Sequence, residues 1–204
     1  MLVLLVAACS GRGGEGEPTR EAPSAGAAIS GFDDSQSHLA ASLGAVTESA
    51  LADPAAMRDA ALAGLDAAEP AQRFAAVYGL TMTASTEAPA SLDALREIVA
   101  SGDATERLLA AGALASVGER DGVSVLIEAL SSDAPMRNVD PSMTVWRYAR
   151  ANLLLFVGQD LGLLEANDAE AAIAAQEAWR AWWAENADAL TWNAELGRYE
   201  AGAA

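Results

Sequence analysis

Lysine is absent from this chain of 204 residues, so all 12 of its basic residues are arginine. A chain without lysine can build neither a Walker-type phosphate loop nor a Schiff base. Histidine and cysteine each occur once, as His38 and Cys9. A zinc site of His and Cys ligands within one chain is therefore excluded, as is an intrachain disulfide. We expect no cofactor, no metal site and no catalytic residue.

Positive charge is scarce relative to negative charge. The 12 arginines face 29 acidic residues, which gives a formal net charge of −17. An acidic surface repels phosphate backbones, so we expect no nucleic-acid partner. Aromatic residues make up only 5% of the chain, and much of its 52% hydrophobic content is alanine, which favours helices. The composition thus predicts a helical protein.

The beginning of the chain resembles a bacterial lipoprotein signal. Residues 1–8 are apolar, and the segment Val6-Ala7-Ala8-Cys9 resembles a lipobox, in which small residues precede a lipidated cysteine. The resemblance implies that residues 1–8 are a signal peptide and that Cys9 is lipidated. It also implies a membrane anchor in the bacterial cell envelope, on the periplasmic face of the outer membrane in a two-membrane cell. The alternative is a buried strand, or a chance apolar start, with a free thiol.

Residues 9–31 are rich in Gly, Ala, Ser, Pro and Glu, and Ile29 is their only large apolar side chain. Such a composition buries too little apolar surface to order itself. We therefore predict a lipidated, flexible and disordered linker, which would let the folded part work away from the membrane.

Helix-start signals recur from residue 32 onward, mostly as an acidic residue or a proline before an apolar helical stripe. No segment shows the alternation of a surface strand. We therefore predict an all-α domain over residues 32–192, with a C-terminal tail over residues 193–204. The eight predicted starts are Asp33 or Asp34, Asp53-Pro54, Glu69-Pro70, Pro89 or Ser91, Asp103, Asp121, Pro141 or Ser142, and Asp168.

A unit of about 34 residues recurs in the middle of the chain. Residues 71–103 and 104–136 align with Arg73 on Arg107, and a further copy starts about 40 residues later at Arg147. This period is typical of helical solenoid repeats, in which each helix pair completes its core by stacking on its neighbours.

Residues 106–133 resemble a short bacterial HEAT repeat of the type found in phycobilisome lyases. The resemblance rests on Arg107, Ala110 and Leu114 in the first helix, Asp121 at the turn, and Val125, Leu126 and Leu130 in the second. It implies a right-handed α-solenoid over about residues 54–186 that binds proteins or peptides. A subset of this family are bilin lyases, but an exported lipoprotein is in the wrong compartment for that activity.

The repeated arginines have two interpretations. The family resemblance implies that Arg73, Arg107 and Arg147 support the turn or the neighbouring repeat through hydrogen bonds. The alternative is a ladder of positive charge along a groove, which would bind an acidic ligand.

Four tryptophans near the C-terminus are the best candidate binding residues: Trp179, Trp182, Trp183 and Trp192. The first three share one side of a helix. They are expected either to cap the last helix or to form an aromatic platform for a glycan or peptide.

The expected function is therefore non-catalytic. We predict an adaptor or scaffold that binds an unidentified envelope protein or peptide. The alternative is a module that binds glycan or peptidoglycan through the tryptophans, and a lyase-type enzyme is the third hypothesis.

Overall fold

Helices dominate the computed structural model, which describes residues 22–140 and 142–201. Cys9 and the predicted signal peptide lie outside these residues. Within the described part of the chain, no helix is both long enough and apolar enough to cross a bilayer. The helices are α1 (Ala25–Ser30), α2 (Leu39–Ala52), α3 (Pro54–Gly64), α4 (Pro70–Met82), α5 (Pro89–Ser101), α6 (Ala104–Ala115), α7 (Arg120–Ala129), α8 (Val145–Phe156) and α9 (Ala169–Asn186).

Five of the predicted helix starts are confirmed. Asp53 caps α3 by accepting a hydrogen bond from the Ala56 N–H at 2.9 Å, and Asp168 caps α9 in the same way. Asp103 forms a capping box with Glu106 at the start of α6. Helices α4 and α5 begin at proline, which tolerates the first helical position because it has no N–H to satisfy.

Three other helices begin elsewhere than predicted. Helix α2 begins at Leu39, because Asp33 accepts a hydrogen bond from the Ser35 N–H and closes a turn instead of capping a helix. Helix α7 begins at Arg120, just ahead of Asp121. Helix α8 begins only at Val145, because the preceding residue, Thr144, forms a β-bridge with Pro135.

The helices pack in pairs. Helix α2 packs on α4, α4 on α6 and α6 on α8, while α3 contacts α5 and α7 contacts α9. Neighbours in the chain, such as α3 with α4 and α6 with α7, also pack against each other. Buried alanines such as Ala76 and Ala111 line these contacts and let the helix axes approach closely.

The prediction of a flexible linker is wrong for the last part of residues 9–31. Ser24 caps α1, and Ala25, Ala28 and Ile29 are buried where α1 packs against α3 and α4. The composition was misleading because three small or apolar residues on one face are enough for a short helix to dock on an existing core. The part of the linker before residue 22 lies outside the described residues.

The all-α prediction is wrong at the C-terminus, where a β-hairpin follows α9. Strand β1 (Leu190–Asn193) pairs antiparallel with β2 (Arg198–Ala201), and Trp192 lies opposite Tyr199. The Asn193 side chain accepts hydrogen bonds from two N–H groups of the turn, and Gly197 has a φ of 63°, which favours glycine. Four-residue strands are too short to show a clear alternation, so the predicted tail boundary at residue 193 divides the hairpin.

Candidate functional site

A groove of about 530 Å³ lies between α6, α7, the start of α8 and α9. Its walls are mostly apolar, and the long side chains at its edges are charged. The apolar lining comes from Ala104, Leu108, Val125, Ile127, Ala129, Val145, Trp183 and Ala184, and the polar lining from Arg107, Ser124, Glu128, Ser132 and Arg180.

An ion pair joins the two helices that flank the groove. Arg180 of α9 donates from Nε to a Glu128 carboxylate oxygen of α7 at 2.7 Å, and its Nη2 contacts the other oxygen. The hydrogen bonds from Arg180 lower the pKa of Glu128. Both side chains are about half exposed, so the pair adds little to the free energy of unfolding. Its main effect is to hold α7 and α9 in place on either side of the groove.

The three repeated arginines bond to separate parts of the fold. Arg73 on α4 donates from Nε and Nη2 to both carboxylate oxygens of Glu106 on α6, at 3.2 Å each. Arg107 donates to the Val99 carbonyl of α5 at 3.0 Å. Arg147 donates to the Ser142 carbonyl at 3.1 Å. Of the three, Arg107 lines the groove.

The structure brings all four candidate tryptophans together through a residue that sequence reasoning missed, Tyr199. The ring centroids of Trp179 and Trp182 lie 5.9 Å apart, and those of Trp182 and Trp183 lie 6.3 Å apart. The Tyr199 ring then contacts Trp183 at 5.7 Å and Trp192 at 5.1 Å, both edge to face. Such tilted contacts are the favourable geometry for aromatic pairs.

Burial divides the four tryptophans into two kinds. Trp179 is completely buried and donates to the Asp160 carbonyl at 3.3 Å. Trp183 is 8% exposed and donates to the Ser124 hydroxyl at 3.2 Å. These two rings hold α9 against its neighbours and have little surface to offer a ligand. Trp182 and Trp192 are partly exposed.

A second pocket, of about 400 Å³, lies where the hairpin meets the start of α7. Arg120 holds these parts together by donating to the Leu190 carbonyl at 3.0 Å and to Asp188 at 3.2 Å. The pocket is lined by Gly118, Glu119, Arg120, Asp121, Leu190, Thr191, Trp192 and Tyr199.

Acidic side chains in the loops serve local structure. Asp140 accepts hydrogen bonds from the backbone and hydroxyl of Ser142, and these bonds lower the pKa of Asp140. Asp160 accepts from the Leu164 N–H at 2.6 Å. Within residues 22–140 and 142–201, no group of three or more His, Cys, Asp or Glu side chains is placed to hold a metal ion.

Sequence reasoning also missed Glu106 and Arg180. The sequence did contain a local signal for a structural role of Glu106. Asp103 and Glu106 have the spacing of a capping box. The Arg180 contact had none, because its partner Glu128 lies 52 residues earlier in the chain.

Comparisons with family models, with curated proteins and with solved structures find no match for this chain.

Proposed function

We propose that this protein is a non-catalytic scaffold of the bacterial cell envelope that binds a protein partner in the groove between α7 and α9. In this proposal the helix pairs form a right-handed α-solenoid of HEAT-like repeats, and lipidated Cys9 anchors the chain to the membrane. The observation that carries the proposal is the apolar groove between successive helix pairs.

The packing of the helices supports the solenoid part of the proposal. Helix α2 contacts α4, α4 contacts α6 and α6 contacts α8, as repeats do when each completes its core on the next. The Arg73–Glu106 contact joins the equivalent helices of two successive units of the sequence repeat. A series of such contacts leaves a continuous surface along the array, and solenoid proteins use that surface for binding.

The chemistry of the groove indicates the kind of partner. Its apolar walls fit the apolar face of an amphipathic helix or an extended peptide. Arg107 and Arg180 lie at the groove although the chain as a whole carries a net charge of −17. Glu128 already pairs with Arg180, so Arg107 carries the positive charge that remains for a partner at the groove. We therefore expect a partner segment that combines apolar anchors with at least one carboxylate.

Site-specific photo-crosslinking in the native host tests the proposal. Ala184 is exposed and lines the groove, so a photoreactive residue there would contact a bound partner. Ala174 is the matched control, since it is an exposed alanine of the same helix that does not line the groove. We expect one envelope protein to crosslink from position 184 and not from position 174.

A groove substitution completes the test. Val125 is half-buried in the groove wall, and Val125→Asp would place a charge where an apolar anchor binds. We expect this variant to fold and to lose the crosslink from position 184. Equal crosslinking from positions 184 and 174, or a crosslink that survives Val125→Asp, would contradict the proposed binding site.

The membrane anchor is tested separately from the groove. We expect metabolic labelling with an alkynyl fatty acid to mark the wild-type protein, and Cys9→Ala to abolish the label and release the protein from the membrane fraction. An unlabelled wild-type protein that sediments with membranes would contradict lipidation, without bearing on the groove.

A further inference from the structure

The groove between α7 and α9 is lined almost entirely by helices. Its walls lie within residues 104–108 of α6, residues 124–129 of α7 and residues 180–184 of α9, together with Val145 at the start of α8. Of the described residues, no member of β1 or β2 lines the groove. A bound peptide therefore meets no strand edge to which it could add as a further strand.

The backbone around the groove is already hydrogen-bonded. Within each helix the N–H and C=O groups pair along the helix axis. Two carbonyls in the last turn of α7 also accept hydrogen bonds from the Gln176 side chain, Ile127 at 2.9 Å and Glu128 at 2.8 Å. Ser132 lies outside the helices, and its carbonyl accepts a hydrogen bond from the Trp146 N–H at 2.9 Å. The backbone of the groove thus offers few groups to a ligand.

Most polar side chains of the groove are engaged as well. The Ser124 hydroxyl accepts a hydrogen bond from the Trp183 indole at 3.2 Å, and the Ser132 hydroxyl accepts one from a backbone N–H at 3.4 Å. Glu128 and Arg180 bond to each other. An extended peptide would leave its own N–H and C=O groups unpaired against the apolar walls, which costs free energy. A helix pairs those groups internally and enters without that cost.

Small side chains leave room in the groove for the side chains of a bound helix. Ala104, Ala129 and Ala184 line it among larger apolar residues. The wall formed by residues 124–129 of α7 extends about 8 Å, which is about one and a half helical turns. A helix that lies along this wall would therefore place two or three apolar side chains in the groove, spaced three or four residues apart.

Arg107 adds a requirement for charge. Its Nε donates to the Val99 carbonyl, and its two Nη atoms bond to no described residue. The side chain is exposed and lines the groove. A carboxylate next to the apolar face of a bound helix can therefore accept hydrogen bonds from the Nη atoms.

We propose that the groove binds an amphipathic α-helix, whose apolar face inserts two or three large side chains and whose flanking carboxylate pairs with Arg107. This inference rests on the proposed function, which places a protein partner in the groove, and it selects a helix over an extended peptide. The selection follows from the hydrogen bonding around the groove, which leaves little for an extended backbone to pair with.

Two synthetic peptides of about 14 residues and identical composition test the shape of the ligand. Both contain leucine, alanine, glutamate and glutamine. The first has leucines at positions i, i+3, i+4 and i+7 with glutamates beside them, and the second alternates leucine with polar residues as a strand does. In fluorescence anisotropy titrations with the full chain, we expect saturable binding of the helical peptide, at least about tenfold tighter than that of the alternating peptide. Equal affinities, or no saturable binding of the helical peptide, would overturn the proposal.

Variants of the groove show whether the helical peptide binds there. Val125→Asp should weaken binding at least about tenfold, and exposed Ala184→Asp provides the same test if Val125→Asp does not fold. Arg107→Gln should weaken binding about threefold, and this loss should disappear with a peptide that carries glutamine in place of glutamate. Arg58→Gln is the matched control, because Arg58 lies on α3 outside the groove. Wild-type affinity in the folded aspartate variant, or equal losses in the two arginine variants, would overturn the proposal.

The peptides and the crosslink in the native host separate this inference from the proposed function. A crosslink from position 184 together with tighter binding of the alternating peptide would overturn the helical ligand and retain the scaffold. Binding of the helical peptide in the groove without a crosslink from position 184 would support the helical ligand and contradict the scaffold function alone.

Discussion

The contact between α6 and α7 is so close that it accepts no side chain at Gly122. A Cβ added there would lie 2.4 Å from the Ala111 carbonyl oxygen and 2.6 Å from the Ala115 nitrogen. Both are backbone atoms of a buried helix, so neither can move aside by changing a rotamer. Gly122→Ala therefore requires the two helices to separate.

The expected effect is the difference between two opposing contributions. Alanine gains about 1 kcal/mol over glycine in a helix interior. Overpacking against fixed backbone costs about 3 kcal/mol, the upper part of the usual range. The net loss for Gly122→Ala is then about 2 kcal/mol, which lowers the melting temperature of a chain of this size by about 4–8 °C.

Urea unfolding followed by far-UV circular dichroism measures this loss, and a second glycine provides the control. Gly44 lies inside α2, and a Cβ added there meets no atom within 4 Å. Gly44→Ala should therefore stabilise the protein by up to about 1 kcal/mol. A Gly122→Ala variant as stable as wild type would refute the reasoning, because the helices would then have separated without cost.

Two further predictions concern buried polar groups. The Glu106 side chain is 6% exposed and accepts two hydrogen bonds from Arg73, so Glu106→Ala should lower the free energy of unfolding by about 2 kcal/mol in urea titrations. The control is Glu97→Ala, because Glu97 is an exposed residue of α5, and it should change the free energy of unfolding by less than about 0.5 kcal/mol. Equal losses of stability in Glu106→Ala and Glu97→Ala would contradict a stabilising role of the Arg73–Glu106 contact. Burial raises the pKa of all three tyrosines above the ordinary value of 10. Their stabilising contribution is therefore complete below pH 10 and is lost as the pH rises through the raised pKa values, which for Tyr199 is about 12. Phenolate absorbance of the native protein should therefore stay low at pH 10.5, and full ionisation there with the fold intact would contradict the burial of Tyr78, Tyr148 and Tyr199.

Local signals explain why several helix starts were predictable. Asp53, Asp103 and Asp168 cap helices with hydrogen bonds to backbone N–H groups two or three residues away. Such contacts need no information from the rest of the fold. The start of α8 was missed because Thr144 pairs with Pro135, which belongs to the loop after α7.

The candidate site was less predictable because its contacts join distant parts of the chain. The tryptophans were identifiable as a cluster, since Trp179, Trp182 and Trp183 share a helix. Their division into buried and partly exposed rings depends on Tyr199 and on the hairpin, whose short strands carry a weak alternation.

The attachment of the hairpin to α7 has a consequence for the order of folding. Most helix contacts join neighbours in the chain, and such low-contact-order pairs form quickly. The Arg120–Leu190 hydrogen bond instead closes a span of 70 residues and needs the whole of α8 and α9 in between. During synthesis the first helix pairs can therefore form while the C-terminal end is still missing, and the exposed edge of α7 is covered only when the last residues arrive.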